Sequence, residues 1–502
     1  MELKKTLALL IENWYFKYSI LAMKYFLALI LNVVFLNISS AQKLWVPKVF
    51  GSHMVLQRGT LVPVWGKAKP GEKITVSMTK VYSLRASKDG SWKVWLGPMP
   101  AGGPFKLQIT AGKETLTFED VLVGDVFFGV GQSNIQLELH RSENGERETA
   151  HANYPKIRFL KVPSQVSYQP EPDQQGNWER CSPASAKDFS AVQYYFGKKV
   201  HLEKNVPVGL INSSWGGTPV EAFMSLEANK SLPYHRKEAE ELEKLPPGVK
   251  YIFDPSKATP QVPASIFNGM INPIIPFALK GILYYQGEHN WNNPYRFREQ
   301  IGVLLNDWRI RWQQGYLPFF IVQLPANGKI AEQPSEHFWS TLRESQAAVL
   351  NYPKTGMAVA IDLGDENDLH PLKKKEVGER LALAAYSVAY DDNIVYSGPL
   401  FDSMKVAGNL VKIFFKEKGS GLAVKGKTLK GFSIASGDKK FVWAKATLVG
   451  DHVEVTAEGV STPVAVRYSW AGTPDGNLYN KEGLPAAPFR TDVWEIRKDG
   501  TW

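Results

Sequence analysis

Three textures of apolar and polar positions follow one another along the chain. Between residues 44 and 122 the pattern alternates with a period of two, in Ile74-Thr75-Val76-Ser77-Met78, Trp92-Lys93-Val94-Trp95-Leu96 and Phe105-Lys106-Leu107-Gln108-Ile109. Turn signals at Pro70-Gly71, Asp89-Gly90 and Gly102-Gly103-Pro104 punctuate it, which predicts a β-sandwich-like domain over 42–122. From 123 to 394 the apolar stretches become continuous. Runs at 126–130, 206–211, 282–286, 319–323 and 357–362 predict buried strands, with helices over 295–313, 341–350 and 372–390 between them. Such alternation predicts an α/β domain, a mostly parallel sheet with helices on both faces. The segment 225–265, rich in Lys, Glu and Pro, interrupts it and is expected to be a surface excursion, a lid or a wall of the cleft. From 395 to 502 alternating strands return at 410–415, 453–455 and 464–470, giving a C-terminal β domain.

The first 41 residues belong to none of these textures. Met23-Lys24 precedes an apolar run over 25–36, and Ser39-Ser40-Ala41 supplies the small residues a signal peptidase needs. The expectation is an exported protein, periplasmic or secreted, that starts at Met23 and is cleaved after Ala41; a longer uncleaved anchor is the alternative. The apolar run is too short for a membrane span, so no stable membrane insertion of the mature chain is expected.

Composition adds limits. Of 502 residues 44% are hydrophobic and 22% charged, enough apolar material for more than one core. The net charge of +10 falls to +8 without the leader, and no basic block occurs, which makes nucleic acid a poor partner. One cysteine, Cys181, leaves an exported chain without an internal disulfide, and its polar context reads as a loop with a passive thiol. Nine histidines are scattered without zinc spacing, so no metal and no cofactor are expected. Composition does not define an oligomeric state.

In an open α/β sheet ligands bind beyond the carboxyl ends of the strands. Four of the five predicted strands end in small, polar or titratable residues: Gly131-Gln132-Ser133-Asn134, Asn212-Ser213-Ser214-Trp215-Gly216-Gly217-Thr218, Gly287-Glu288-His289-Asn290, and Gly364 through Asp368-Leu369-His370-Pro371. Acyl transfer needs a nucleophile, a base and oxyanion donors. Ser133 fits the first and His370, read as the entry to an amphipathic helix, the second. Asp368 fits the acid that orients the imidazole. The Ser133 N–H, an N–H of Gly216 or Gly217 and the Asn290 amide are candidate oxyanion donors. Read singly, each has a plainer alternative, a helix cap for Ser133 and Asp368 and an ordinary turn for the glycines. Their joint occurrence at four strand ends favours chemistry. Because a histidine base must be neutral, activity is expected to fall below about pH 6.5, where imidazole ordinarily protonates.

On these residues, and on Phe267-Asn268-Gly269-Met270-Ile271, His53 through Arg58 and the tail 477–492, the sequence resembles the SGNH (GDSL-like) hydrolases, and among them the sialate O-acetylesterase family of exported carbohydrate esterases. The resemblance spans nearly the whole mature chain. It implies a flavodoxin-like three-layer hydrolase domain over 123–394 and a metal-free serine mechanism that removes acetyl groups from sugars or sialic acid. It also implies roles for Ser133 as nucleophile, His370 as base, and Gly216 or Gly217 with Asn290 at the oxyanion. Gln132, Gln286, Glu288 and Trp215, in the same blocks, are expected to meet substrate. The general SGNH pattern places the acid three residues before the histidine, where this chain has Asn367, so a triad with Asp368 and a Ser-His dyad both stay open. An acetylxylan or other plant-polysaccharide esterase is the nearest rival function, and a non-catalytic glycan-binding protein is the rival from another class.

Overall fold

The computed structural model describes residues 43–249 and 261–495. The leader and part of the 225–265 excursion therefore lie outside the described residues. Seven strands form the central sheet: β1 (Glu114–Gly131), β2 (Tyr154–Lys161), β3 (Trp178–Cys181), β4 (Val208–Ser214), β5 (Gly281–Tyr285), β6 (Phe319–Gln323) and β7 (Thr355–Val359). Their order is β7-β6-β5-β1-β4-β2-β3, parallel throughout except for β3, which closes the edge antiparallel to β2. Without that edge hairpin the order is the doubly wound 2-1-3-4-5, in which the first strand lies at the switch point.

β4 to β7 are buried at every position, as strands covered on both faces must be. The cover is two helix pairs, α1 (Ala191–Lys204) with α4 (Lys374–Ala389), and α2 (Phe297–Trp312) with α3 (Phe338–Ala347). Consecutive strand residues show that the pairs lie on opposite faces. The Phe127 ring meets Phe196 of α1 at 4.7 Å, and the Phe128 ring meets Trp312 of α2 at 5.6 Å.

The change of texture at 122/123 falls inside one strand. β1 runs antiparallel to Gly102–Ala111 over its first half and takes Val55–Gln57 beside Leu122–Gly124. Its second half is the centre of the parallel sheet. Its burial alternates up to Val121 and is unbroken afterwards. The C-terminal part forms two four-stranded antiparallel sheets around a core of its own that includes Val411, Ile413, Ile434, Val453 and Val466. The excursion contributes helices at Leu226–Ser231 and Pro233–Glu243.

Three elements escape the sequence pattern, β2, β3 and α1. Most of α1 is buried around its whole circumference as far as Val200, so it shows no polar face. Cys181, expected in a polar loop, ends β3 instead, where burial pushes its thiol up to about 12.

Candidate active site

Ser133 stands two residues beyond β1, at the switch point between β4 and β5. Gly131 makes the exit possible: its φ is +147°, and a Cβ there would lie 2.0 Å from the Tyr285 carbonyl oxygen. Gln132 donates its N–H to that same oxygen, and Ser133 opens a single helical turn, Ser133–Gln136. The Ser133 Oγ lies 2.8 Å from His370 Nε2. His370 comes from the loop after β7, not from the start of a helix as expected; α4 begins only at Lys374. Asp368 Oδ1 accepts the His370 backbone N–H at 2.8 Å and lies 3.3 Å from His370 Nδ1. One oxygen of Asp368 thus faces both the backbone N–H and the ring nitrogen of His370. Both side chains are well exposed, 39% for His370 and 55% for Asp368, so the carboxylate acts in solvent.

A wholly buried frame lies behind the pair. The Asn134 amide nitrogen donates to Glu288 Oε1 at 2.6 Å and to the Leu369 carbonyl at 3.1 Å. Its amide oxygen accepts from Lys374 Nζ, which also lies 5.6 Å over the Tyr285 ring. Asn134 follows the serine and Leu369 precedes the histidine, so this side chain joins two segments far apart in sequence. Burial pushes Lys374 down to about 7 and pushes Glu288 up from the ordinary carboxylate range. Glu288 Oε2 and the Tyr285 hydroxyl have no hydrogen-bond partner among the described residues.

The candidate oxyanion donors differ in readiness. Gly216 lies against the serine, since a Cβ there would be 3.2 Å from the Ser133 Cβ. Its N–H donates to Gln136 Oε1 at 2.8 Å, so an oxyanion would have to displace that amide. Gly217, at φ +65°, turns the chain next to it. Asn290 ends the short turn after β5; its oxygen accepts from Val220 N and Gln286 Nε2, and its nitrogen donates to Glu221 Oε2 at 3.3 Å. An amide nitrogen carries two hydrogens, so one remains for a ligand.

Three of the four residues expected to meet substrate face inward, which corrects that expectation. Gln132 is 2% exposed and accepts the His289 N–H. Gln286 is fully buried between Tyr284, Thr218 and Asn290. Glu288 is 4% exposed and bonds Asn134. A strand end marks a position near the cleft but does not set which way a side chain points. Trp215 is half-buried, packed against the core beside Gly216. Lys374 and Gln136 escaped the sequence reading. Lys374 had a signal, because three consecutive lysines at the amino end of a helix oppose its dipole and call for another reason to be there.

Comparison with known proteins gives this geometry a family. The model of the family "carbohydrate esterase, sialic acid-specific acetylesterase" matches residues 259–387. The crystal structure of a carbohydrate acetylesterase from Xanthomonas citri superposes with a TM-score of 0.81 at 38% identity, covering 90% of this chain and all of that one. Sialate O-acetylesterases of Pongo abelii and Homo sapiens are each 31% identical over 491 residues, covering 87% of this chain and 90% of theirs. The mixed α/β fold is therefore that of a carbohydrate esterase. The chain belongs to the sialate O-acetylesterase family.

Proposed function

We propose that this protein is an exported serine esterase that removes O-acetyl groups from carbohydrates, sialic acid among them. The observation that carries this reading is the 2.8 Å contact between Ser133 Oγ and His370 Nε2 at the switch point of the sheet. Ser133 Oγ attacks the acetyl carbonyl as its proton passes to Nε2. The oxyanion draws on the Ser133 N–H, the Gly216 and Gly217 N–H groups and the Asn290 amide. Collapse expels the sugar hydroxyl, which takes the proton from His370 and leaves acetyl-Ser133. Water then attacks the acyl carbon and gives its proton to His370; collapse breaks the bond to Ser133 Oγ, which takes that proton back, and acetate leaves. Asp368 steadies the imidazole from an exposed position, which permits a triad in which the acid contributes less than a buried one would.

The sialate relatives favour sialic acid as the sugar, while the similarity to a carbohydrate acetylesterase of higher identity keeps acetylated plant polysaccharide as the second reading. The same proposal takes 123–394 as an SGNH hydrolase domain and its β flanks as sandwich-like domains. Export rests on the leader pattern of 23–41, and amino-terminal sequencing of the mature protein should begin at Gln42.

The experiment is acetate release from O-acetylated sialic acid and from acetylated xylan by the wild type, Ser133→Ala and Asp368→Asn. Ser133→Ala should lose about 10⁴-fold or more in kcat with its fold intact. Equal release by that variant and the wild type would end the nucleophile assignment. A loss of about tenfold or less in Asp368→Asn is expected from an exposed acid, and no loss at all would make the machinery a dyad.

A further inference from the structure

A groove of about 570 Å³ lies away from Ser133, on the N-terminal β part, with Asn272 and Ile275 of the central domain in its lining. One wall is the two-stranded ribbon Val62–Lys67 and Ser91–Leu96, whose register pairs Trp65 with Lys93, Lys67 with Ser91 and Pro63 with Trp95. These pairs share one face of the ribbon. The opposite face is conventional, with Val62, Val64, Trp92 and Leu96 buried in the core. The groove face is not conventional. It presents Trp65 half-buried between the exposed Lys67 and Lys93, where an ordinary outward face would be polar throughout.

Trp45, Leu84, Arg85 and the edge of the buried Trp92 also line it, and no aspartate or glutamate does. Neither lysine nor Arg85 forms an ion pair among the described residues. Arg85 donates one N–H to the Gly71 carbonyl, and Lys93 Nζ lies 5.7 Å over the Trp95 ring. The groove thus combines aromatic surface with three cations that lack a carboxylate partner, while its Ser87 and Ser91 hydroxyls are held by Asp89. Sugar rings offer apolar C–H faces to aromatic rings and hydroxyls to polar side chains; unpaired cations add a demand for anionic substituents.

We infer that this groove is a second, non-catalytic binding site for a carboxylate-bearing polysaccharide. The choice of a glycan rests on the esterase reading of the Ser133 site, while the anionic character rests on the groove alone. Bound there, an acidic chain would be held on the enzyme while its acetyl groups pass to the catalytic cleft. A nucleic acid is disfavoured because a few cations in one pocket do not track a phosphate backbone.

The test is binding of the mature Ser133→Ala chain to polysialic acid and polygalacturonate, with unacetylated xylan and a single-stranded oligodeoxynucleotide as comparisons. Lys67→Glu and Lys93→Glu together should weaken carboxylated polymers at least about tenfold, through loss of two charge-assisted contacts. The same pair in the Ser133 protein should leave hydrolysis of p-nitrophenyl acetate unchanged, with the melting temperature as a control. Trp65 is avoided because its ring packs edge-on against Phe50 at 4.8 Å and its loss would disturb the fold. Retained binding in the double variant, equal binding of xylan, or tighter binding of the oligonucleotide would each overturn the inference. No acetate release by the Ser133 protein would instead overturn the esterase reading, without touching the binding result.

Discussion

Two clusters of buried charge in this protein behave in opposite ways. At the junction of the N-terminal strands with the sheet edge, Asp120 accepts from His53 Nδ1 at 2.7 Å, from both terminal nitrogens of Arg158 at 2.7 and 3.2 Å, and from Arg180 Nε at 2.8 Å. Arg158 also donates to the carbonyls of Pro155 and His53. Both carboxylate oxygens are satisfied. Behind Ser133 the arrangement is poorer: Glu288 Oε2 and the Tyr285 hydroxyl lack partners, and a lysine buried to 1% exposure is pushed down to about 7. A satisfied cluster rigidifies a junction, whereas an incompletely satisfied one costs stability and persists where position matters more. The first cluster holds the fold together, and the second holds the segment of Ser133 against that of His370, the proposed nucleophile and base.

The strongest way to break this contrast is to remove the frame behind the serine. Asn134→Ala and Lys374→Met are expected to lower kcat by about 10 to 100-fold with KM nearly constant, since a small misplacement of nucleophile and base costs that much. Phosphonylation of Ser133 by a fluorophosphonate should slow in parallel, which reads the nucleophile directly and needs no sugar substrate. A fall in melting temperature with unchanged labelling per folded molecule would make the frame merely structural.

These two clusters also show what a sequence can reveal. The five parallel strands were legible because burial on both faces leaves uninterrupted apolar runs, as in Phe319–Gln323. The juxtaposition of Ser133 and His370 was legible because both follow such runs. The continuity of β1 was not. A strand that passes from a half-solvated antiparallel sheet into a buried parallel one changes pattern at Val121 without a break in the chain, and so imitates a boundary. Gln286 and Glu288 were misplaced into the substrate cleft because side-chain direction depends on partners such as Asn290 and Asn134, contributed by other segments. The pairing of Asp120 with Arg158 and Arg180 depends on the β2–β3 hairpin, whose strands have no clean period to announce them.

Stability should separate the clusters next, through the sign of each contribution and the pH window in which it changes. Burial raises the Asp120 carboxyl, but the hydrogen bonds from Arg158, His53 and Arg180 outweigh it and hold the group below the ordinary range. A carboxyl lowered on folding contributes stability that is present above about pH 4 and disappears as pH falls through the folded value. Asp120→Asn should therefore cost about 3 kcal/mol at neutral pH and lose its disadvantage in acid, with activity per folded molecule unchanged. Lys374 contributes a cost where Asp120 contributes a gain, although here too stability rises with pH. Its folded value lies below the unfolded one, so the native state is penalised where the lysine is charged on both sides, and the penalty eases as pH rises from about 7 towards about 10. The wild type should gain stability relative to Lys374→Met over that interval. A stability difference between the wild type and Lys374→Met that stayed flat from about pH 7 to about pH 10 would remove the distinction between them.

The smallest effect tests whether burial, and not the number of ion pairs, sets the worth of the Asp120 cluster. Arg158 and Arg180 both reach the same carboxylate, yet the Arg158 side chain is 4% exposed and that of Arg180 54%. An exposed pair gains little in water, so Arg180→Ala should cost less than about 1 kcal/mol in chemical denaturation. Arg158→Met should cost about 3 kcal/mol or more, because it strips the buried oxygens of two donors and orphans the carbonyls that Arg158 now satisfies. Equal losses for the two substitutions would mean that the carboxylate responds to charge alone. The junction would then rest on long-range electrostatics, and its stability should fall with added salt; the unequal losses expected here should persist at high ionic strength.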